Sequence, residues 1–133
     1  MTQQINITKT NVYSDVNISF LANPVTGDIG RISASNSIKT AVYNCILTKR
    51  GERPFNPYFG ADIYTLLFDQ YVPETKLFIY DQIVAAVENY DSRVKITNVV
   101  IDPISHGFTI SVGFTILNTE IVDEISATIT RLR

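Results

Sequence analysis

The chain has 133 residues, of which 45% are hydrophobic and 18% charged, with a formal net charge of −2. That composition describes one compact domain rather than a disordered segment, and a chain of this length buries roughly 68% of its unfolded surface without needing a disulfide or structural metal. The single cysteine, Cys45, has no internal partner, and 13 acidic against 11 basic residues give no basic stripe for a nucleic acid to follow. No stretch approaches the roughly 20 apolar residues of a membrane span, and the first ten residues have neither the basic start nor the apolar core of a secretion signal.

Residues 1–32 are polar and rich in Thr and Asn. Asn23-Pro24 and Thr26-Gly27-Asp28 mark a turn between the apolar stretches Ile18–Leu21 and Ile29–Ile32, which predicts an extended arm with a small hairpin. The glycosylation sequons at Asn6 and Asn17 have no secretion signal beside them and carry no function.

From Ser33 the apolar period lengthens. Ile38, Val42 and Cys45 stand at helical spacing, Ser33 or Ser35 is the candidate cap, and Gly51 is placed to end the helix after Lys49 and Arg50. Lys49, Arg50 and Arg53 read as cations at a helix C-terminus rather than a phosphate track. Cys45 faces the core, because a nucleophilic role would need a base and the only histidine, His106, lies far away in a turn signal.

Gly51 to Gly60 is a rigid connection in which Pro54 and Pro57 fix the backbone. It is suited to packing Phe55 and Phe59 on the helices and presenting Arg53. A short helix is predicted over Ala61–Gln70. Pro73 at the first helical position then opens a longer one to about Tyr90, with Leu77, Tyr80, Ile83, Val84 and Val87 on its buried stripe.

After Tyr90 the period falls to two. Phe108, Ile110, Val112, Phe114 and Ile116 alternate with small polar residues, and Ile125, Ala127 and Ile129 repeat the pattern. Val94–Ile101 is the third strand, with Asp102-Pro103 to Gly107 as the turn out of it. The fold class is α+β: helices packed on one face of a three-stranded antiparallel meander, within a single domain spanning residues 1–133 (arm 1–32, helical part 33–90, sheet 91–133).

No cluster of His, Cys and carboxylates, no phosphate loop, no nucleophile elbow and no Cys-x-x-Cys motif is present, so neither a metal nor another cofactor is implied. Glu88 and Asp91, three residues apart on one helix face, are the only pair resembling a glycosidase's carboxylates. Their surroundings, Glu88-Asn89-Tyr90-Asp91-Ser92-Arg93, read instead as a polar helix end with Arg93 placed to neutralise Asp91.

The run Leu47-Thr48-Lys49-Arg50-Gly51-Glu52-Arg53-Pro54-Phe55-Asn56-Pro57-Tyr58-Phe59-Gly60, followed by Ile63, Leu66, Leu67 and Phe68, closely resembles the baseplate wedge family of contractile phage tails, whose relatives include a baseplate component of type VI secretion systems. The resemblance extends over most of the chain, from Tyr13-Ser14-Asp15 to the C-terminal strands. It implies a structural virion protein rather than an enzyme, repeated six-fold in the tail baseplate between the wedge core and the first sheath ring. Its implied partners are other baseplate wedge and core proteins and the tail sheath protein. Lysozyme-like labels attach to parts of the family, so a peptidoglycan hydrolase using Glu88 is the alternative. Where family members carry Glu-Pro-Arg, this chain has Asp91-Ser92-Arg93. The resemblance makes Asp91 and Arg93 candidate partner contacts, and an internal ion pair tying helix to sheet is the other reading. Arg53, Pro54 and Phe59, in the rigid loop, are further candidate partner residues, with core packing the other reading of Phe59.

A three-stranded meander also leaves two edges of unpaired N–H and C=O groups. The strand from Glu124 to Arg131, including Ala127 and Thr128, is the edge least guarded by charge and so the expected template for an incoming strand, with Val94–Ile101 as the second candidate.

Overall fold

A computed structural model describes residues 13–33, 35–117 and 120–131. The elements run β1 (Ser14–Val16), β2 (Arg31–Ser33), α1 (Ser35–Leu47), α2 (Ile63–Leu66), α3 (Pro73–Tyr90), β3 (Val94–Ile104), β4 (Gly107–Ile116) and β5 (Ile121–Thr130). Two compact units result, Met1–Ser37 and Ile38–Arg133.

In the first unit, β1 and β2 pair antiparallel with Asp15 opposite Ile32, and a single bridge joins Ala22 to Ile29. The expected hairpin is present, but its strands lie outside the apolar stretch Ile18–Leu21, which instead forms a turn closed by Phe20 N–H on the Asn17 carbonyl at 3.0 Å. Asn23 closes the tip. Its carbonyl accepts from Gly27 and its side-chain oxygen from Val25, with Gly27 left-handed at φ +69° as only glycine adopts cheaply. Asn6 and the first twelve residues of the expected arm lie outside the described residues.

The second unit is the α+β body, with strand order β3-β4-β5 and every pair antiparallel. β4 buries Phe108, Ile110, Val112, Phe114 and Ile116, and its alternate residues are half-buried on the opposite face. From α1 the same core receives Ile38, Val42, Cys45 and Ile46, the one-sided spacing of a helix lying on a sheet. Lys39 of α1 also reaches Asp123 of β5 at 2.7 Å, a hydrogen-bonded contact that holds the Asp123 carboxyl below its usual range.

Four expectations change. α1 ends at Leu47 rather than running to Gly51, so Lys49, Arg50 and Arg53 lie in the following loop and not on a helix terminus. Gly51 instead takes φ +87° inside that loop and donates its N–H to the Pro57 carbonyl at 2.9 Å. The second helix shrinks to one turn, Ile63–Leu66. α3 has the expected bounds, its N-terminal proline and the expected burial of Ile83 and Val87, but Thr75, Ile79 and Ala86 complete the buried face while Leu77 and Tyr80 are exposed. The helix is apolar on two adjoining faces, and the four-residue row through Ile79, Ile83 and Val87 is the one that reaches the sheet.

β3 continues through Asp102 and Pro103 to Ile104, leaving Ser105 and His106 as the hairpin turn. Proline is tolerated there because β3 is an edge strand.

The loop from Thr48 to Ala61 is pinned where it returns to α1. Ala61 donates its N–H to the Cys45 carbonyl at 3.2 Å, satisfying one of the last carbonyls of the helix. Gly60 beside it has φ +102°, and a Cβ there would stand 2.1 Å from the Thr48 carbonyl oxygen. Gly60→Ala should therefore cost about 1–3 kcal/mol for the backbone conformation alone, with the collision adding to that loss. A urea midpoint equal to that of the parent would mean the loop does not close against Thr48.

Candidate docking surfaces

The first surface forms where the proline-rich loop meets the end of α3. Two successive turns shape the loop, Asn56 N–H on the Arg53 carbonyl and Phe59 N–H on the Asn56 carbonyl, each at 3.1 Å. They turn Phe59 inward, where it is buried and meets Tyr90 edge-on at 4.2 Å between ring centroids. The Arg53 guanidinium lies over the Phe59 ring at 3.6 Å, and Asn56 donates from Nδ2 to the Tyr90 hydroxyl at 2.6 Å. Phe55 and Tyr58 are exposed instead of packed, and Pro54 is exposed between Arg53 and Phe55. Phe59 thus acts from inside the fold, holding Arg53 and Tyr90, while Arg53, Pro54, Phe55 and Tyr58 form the outer surface.

Next to Tyr90, the chain turns from α3 into β3. Asp91 caps the helix with its N–H on the Val87 carbonyl at 2.8 Å, and its Oδ1 accepts the backbone N–H of Arg93 at 3.1 Å. That local bond fixes the corner as an Asx turn, with the Asp91 carboxylate shaping the backbone. The Arg93 side chain closes back on the same carboxylate, Nε on Oδ1 at 2.7 Å and Nη2 on Oδ2. Burial raises the Asp91 pKa, but the hydrogen bonds and charge of Arg93 outweigh it and hold the carboxyl below its usual range. Under this corner Cys45 is buried, its thiol donating to the Ala86 carbonyl at 3.4 Å. Burial outweighs a hydrogen bond from the Gly60 backbone and pushes its pKa up to about 11, which keeps the thiol neutral.

The second surface is the sheet edge. Arg131 donates its N–H to the His106 carbonyl at 2.7 Å. Bonding alternates along an antiparallel ladder, so the register Phe108↔Ile129 and Ile110↔Ala127 makes the odd residues of β5 face β4 and the even ones face outward. Ala127, whose side chain is also buried, is committed to β4, whereas Thr128 presents its N–H and C=O at the free edge. The Glu124 N–H is taken by Asp123 Oδ1 at 2.9 Å, so the open run is Ser126, Thr128 and Thr130.

The other edge, β3, is more guarded. By the same parity Ile96, Val99, Ile101 and Pro103 face outward. Glu88 Oε1 accepts the Ile96 N–H at 3.2 Å, and Pro103 has no N–H to offer. Glu88 is thereby placed as an edge cover, a role its sequence position does not announce. Among the described residues, no three His, Cys, Asp or Glu side chains gather as a metal site would require, and no helix is long and apolar enough to cross a membrane.

The body belongs to the class of α+β folds in which helices cover one face of an antiparallel meander. Residues 33–129 match the family model for baseplate wedge protein gp25, so this chain belongs to the baseplate wedge protein gp25 family. A curated relative, the baseplate wedge protein gp25 of Enterobacteria phage T4, is 34% identical over 85 residues, covering 64% of each chain. The chain therefore matches somewhat less than two thirds of that relative's length.

Solved structures share the fold at lower identity. A Geobacter sulfurreducens protein provisionally named a tail lysozyme matches with a TM-score of 0.69 at 20% identity, over 77% of this chain and 95% of its own. A chain of the anti-feeding prophage baseplate gives 0.63 at 14% identity, over 88% and 84%. A chain of the post-contracted pyocin R2 baseplate gives 0.51 at 14%, over 83% and 96%.

Two measurements probe the first surface. Phe59→Ala should lower stability by about 3–5 kcal/mol, read as a shifted urea midpoint, because it removes a buried ring and leaves Tyr90 and Arg53 without their packing partner. Asp91, with its pKa lowered in the fold, adds stability that is present above the unfolded carboxylate value and lost as pH falls through the folded one. Asp91→Asn should therefore flatten the loss of stability as pH falls below the ordinary carboxylate range. An unchanged acid profile would show that the Arg93 pairing does not persist in solution.

Proposed function

We propose that the chain is a structural subunit of a contractile-tail baseplate wedge, that it works in the virion tail as one of six copies, and that the free edge of β5 accepts an extended strand of the tail sheath protein. Family membership supports the baseplate role, as do the names of the T4 relative and of the assemblies that share the fold. The observation that carries the edge assignment is the asymmetry of the two sheet edges. β3 is covered by Glu88 and blunted by Pro103, while β5 leaves Ser126, Thr128 and Thr130 open in sequence. An incoming strand would gain main-chain hydrogen bonds there without rearrangement of the sheet.

The loop surface is proposed to meet other wedge and core proteins. Arg53, Pro54, Phe55 and Tyr58 stand exposed on a backbone that two prolines and two turns hold rigid, and large aromatics with Arg are the composition of interface centres. Asp91 and Arg93 support that surface by fixing the corner beside Tyr90. The hydrolase alternative draws no support from Glu88 and Asp91. Glu88 holds a backbone N–H of β3, and Asp91 is kept ionised by Arg93, the reverse of a carboxyl poised to donate a proton.

Proline substitutions at neighbouring positions separate the edge's two roles. Ala127→Pro removes a bond of the β4–β5 ladder and should unfold the monomer or sharply lower its Tm. Thr128→Pro removes only an outward donor; it should leave Tm near that of the parent and block sheath polymerisation on purified baseplates carrying the variant. If folded Thr128→Pro baseplates nucleate sheath at the normal rate, β5 is not the template.

A further inference from the structure

Beside the C-terminal end of β5 lies a mainly apolar groove of about 560 Å³, bounded by Tyr64, Leu67 and Phe68 around α2 and by Thr130 and Arg131 of the strand end. Its volume is within the roughly 300–1,000 Å³ typical of built binding sites. Phe68 is 71% exposed at its margin, an unusual position for a phenylalanine. Lys49 and Glu52 complete the rim. Glu52 turns one carboxylate oxygen to the Lys49 N–H at 3.2 Å, so together with Arg131 the rim has two cations against one partly engaged anion.

The groove is continuous with the open edge. Thr130 is the last outward-facing residue of β5 and also a wall of the groove, so a strand hydrogen-bonded along Ser126, Thr128 and Thr130 runs directly to its mouth. We propose that this groove is the anchor site for that strand: the segment that pairs with β5 places one large apolar side chain, aromatic or branched aliphatic, against Leu67 and Phe68, with a carboxylate beside it facing Lys49 and Arg131. This rests on the edge-pairing reading and adds what that reading lacks, a contact that reads the identity of the incoming segment. Main-chain bonds to an edge are available to any extended chain, whereas a pocket for a side chain selects one.

The test uses whole baseplates carrying variants of this chain, with the sheath protein as the probe. Phe68→Asp puts a charge in an apolar groove at an exposed position, so Tm should stay close to that of the parent. Sheath initiation should slow by at least about tenfold, the usual consequence of losing one anchor residue. Lys49→Glu should slow it by about threefold at low salt and less at high salt, as a rim charge does. If Thr128→Pro blocks initiation while Phe68→Asp and Lys49→Glu initiate at the parental rate, edge pairing stands and the groove is not its anchor. If Thr128→Pro initiates normally, the edge-pairing reading fails and the anchor assignment falls with it, whatever Phe68→Asp does.

Discussion

The three-stranded sheet and both of its edges are arranged around the hydrogen-bonding parity of β4. Its odd residues bond to β3 and its even residues to β5, a division fixed by the Arg131 N–H on the His106 carbonyl and by the Leu117 N–H on the Arg93 carbonyl at 2.9 Å. Because the buried side chains of β4 are also the even ones, the same alternation decides which face the helices cover. A slip of one residue would turn Phe108, Ile110, Val112, Phe114 and Ile116 to the opposite face, so burial and edge chemistry are locked together. The outward groups of β3 and β5 follow from that lock and are not independent features.

The two edges then receive opposite treatment from the rest of the chain. α3 packs beside β3, and from its last turn Glu88 covers the Ile96 N–H. Pro103 removes one more donor from that edge, and the bulge between Ile96 and Asn98 bends it. β5 is tied to α1 by Lys39 and Asp123, and Asp123 in turn takes the Glu124 N–H. What remains open is the stretch nearest the C-terminal end of β5. An edge left open in a Thr-rich strand is an aggregation liability unless a partner occupies it, and this is the physical reason to read it as an interface.

Much of this body was legible in the sequence, and the misses have specific causes. The strict alternation from Phe108 to Ile116 leaves one reading, because period two over that length matches no helix. Pro73 likewise set the start of α3. The face of α3 was legible in part: Ile83 and Val87 are buried as their spacing predicts, but Leu77 and Tyr80 are exposed and Ile79 is buried instead, a choice that only the geometry of the sheet makes. Gly51 looked like a helix stop because it follows two cations, yet α1 ends earlier, where Thr48 bonds back to the Asn44 carbonyl through both its N–H and its hydroxyl. Pro103 was read as a turn, since proline breaks a central strand; that β3 is an edge depends on strand order, which local pattern does not encode. The internal pairing of Asp91 with Arg93 was one of two readings of the same residues, and the Asx turn explains how the corner holds with no proline in it.

The shortness of the open run limits what main-chain pairing alone achieves. Only Ser126, Thr128 and Thr130 face outward between the Asp123-capped Glu124 and the end of the strand, so an incoming segment gains few ladder bonds while giving up the conformational freedom of every residue it aligns. Each net hydrogen bond contributes about 0.5–1.5 kcal/mol, which three outward residues do not multiply into a durable joint once ordering is counted. A lasting attachment at this edge therefore needs apolar burial next to it. The groove beside Thr130 would supply that surface where the ladder stops, and this proximity, more than the groove's size, is what joins the two features in the proposed interface.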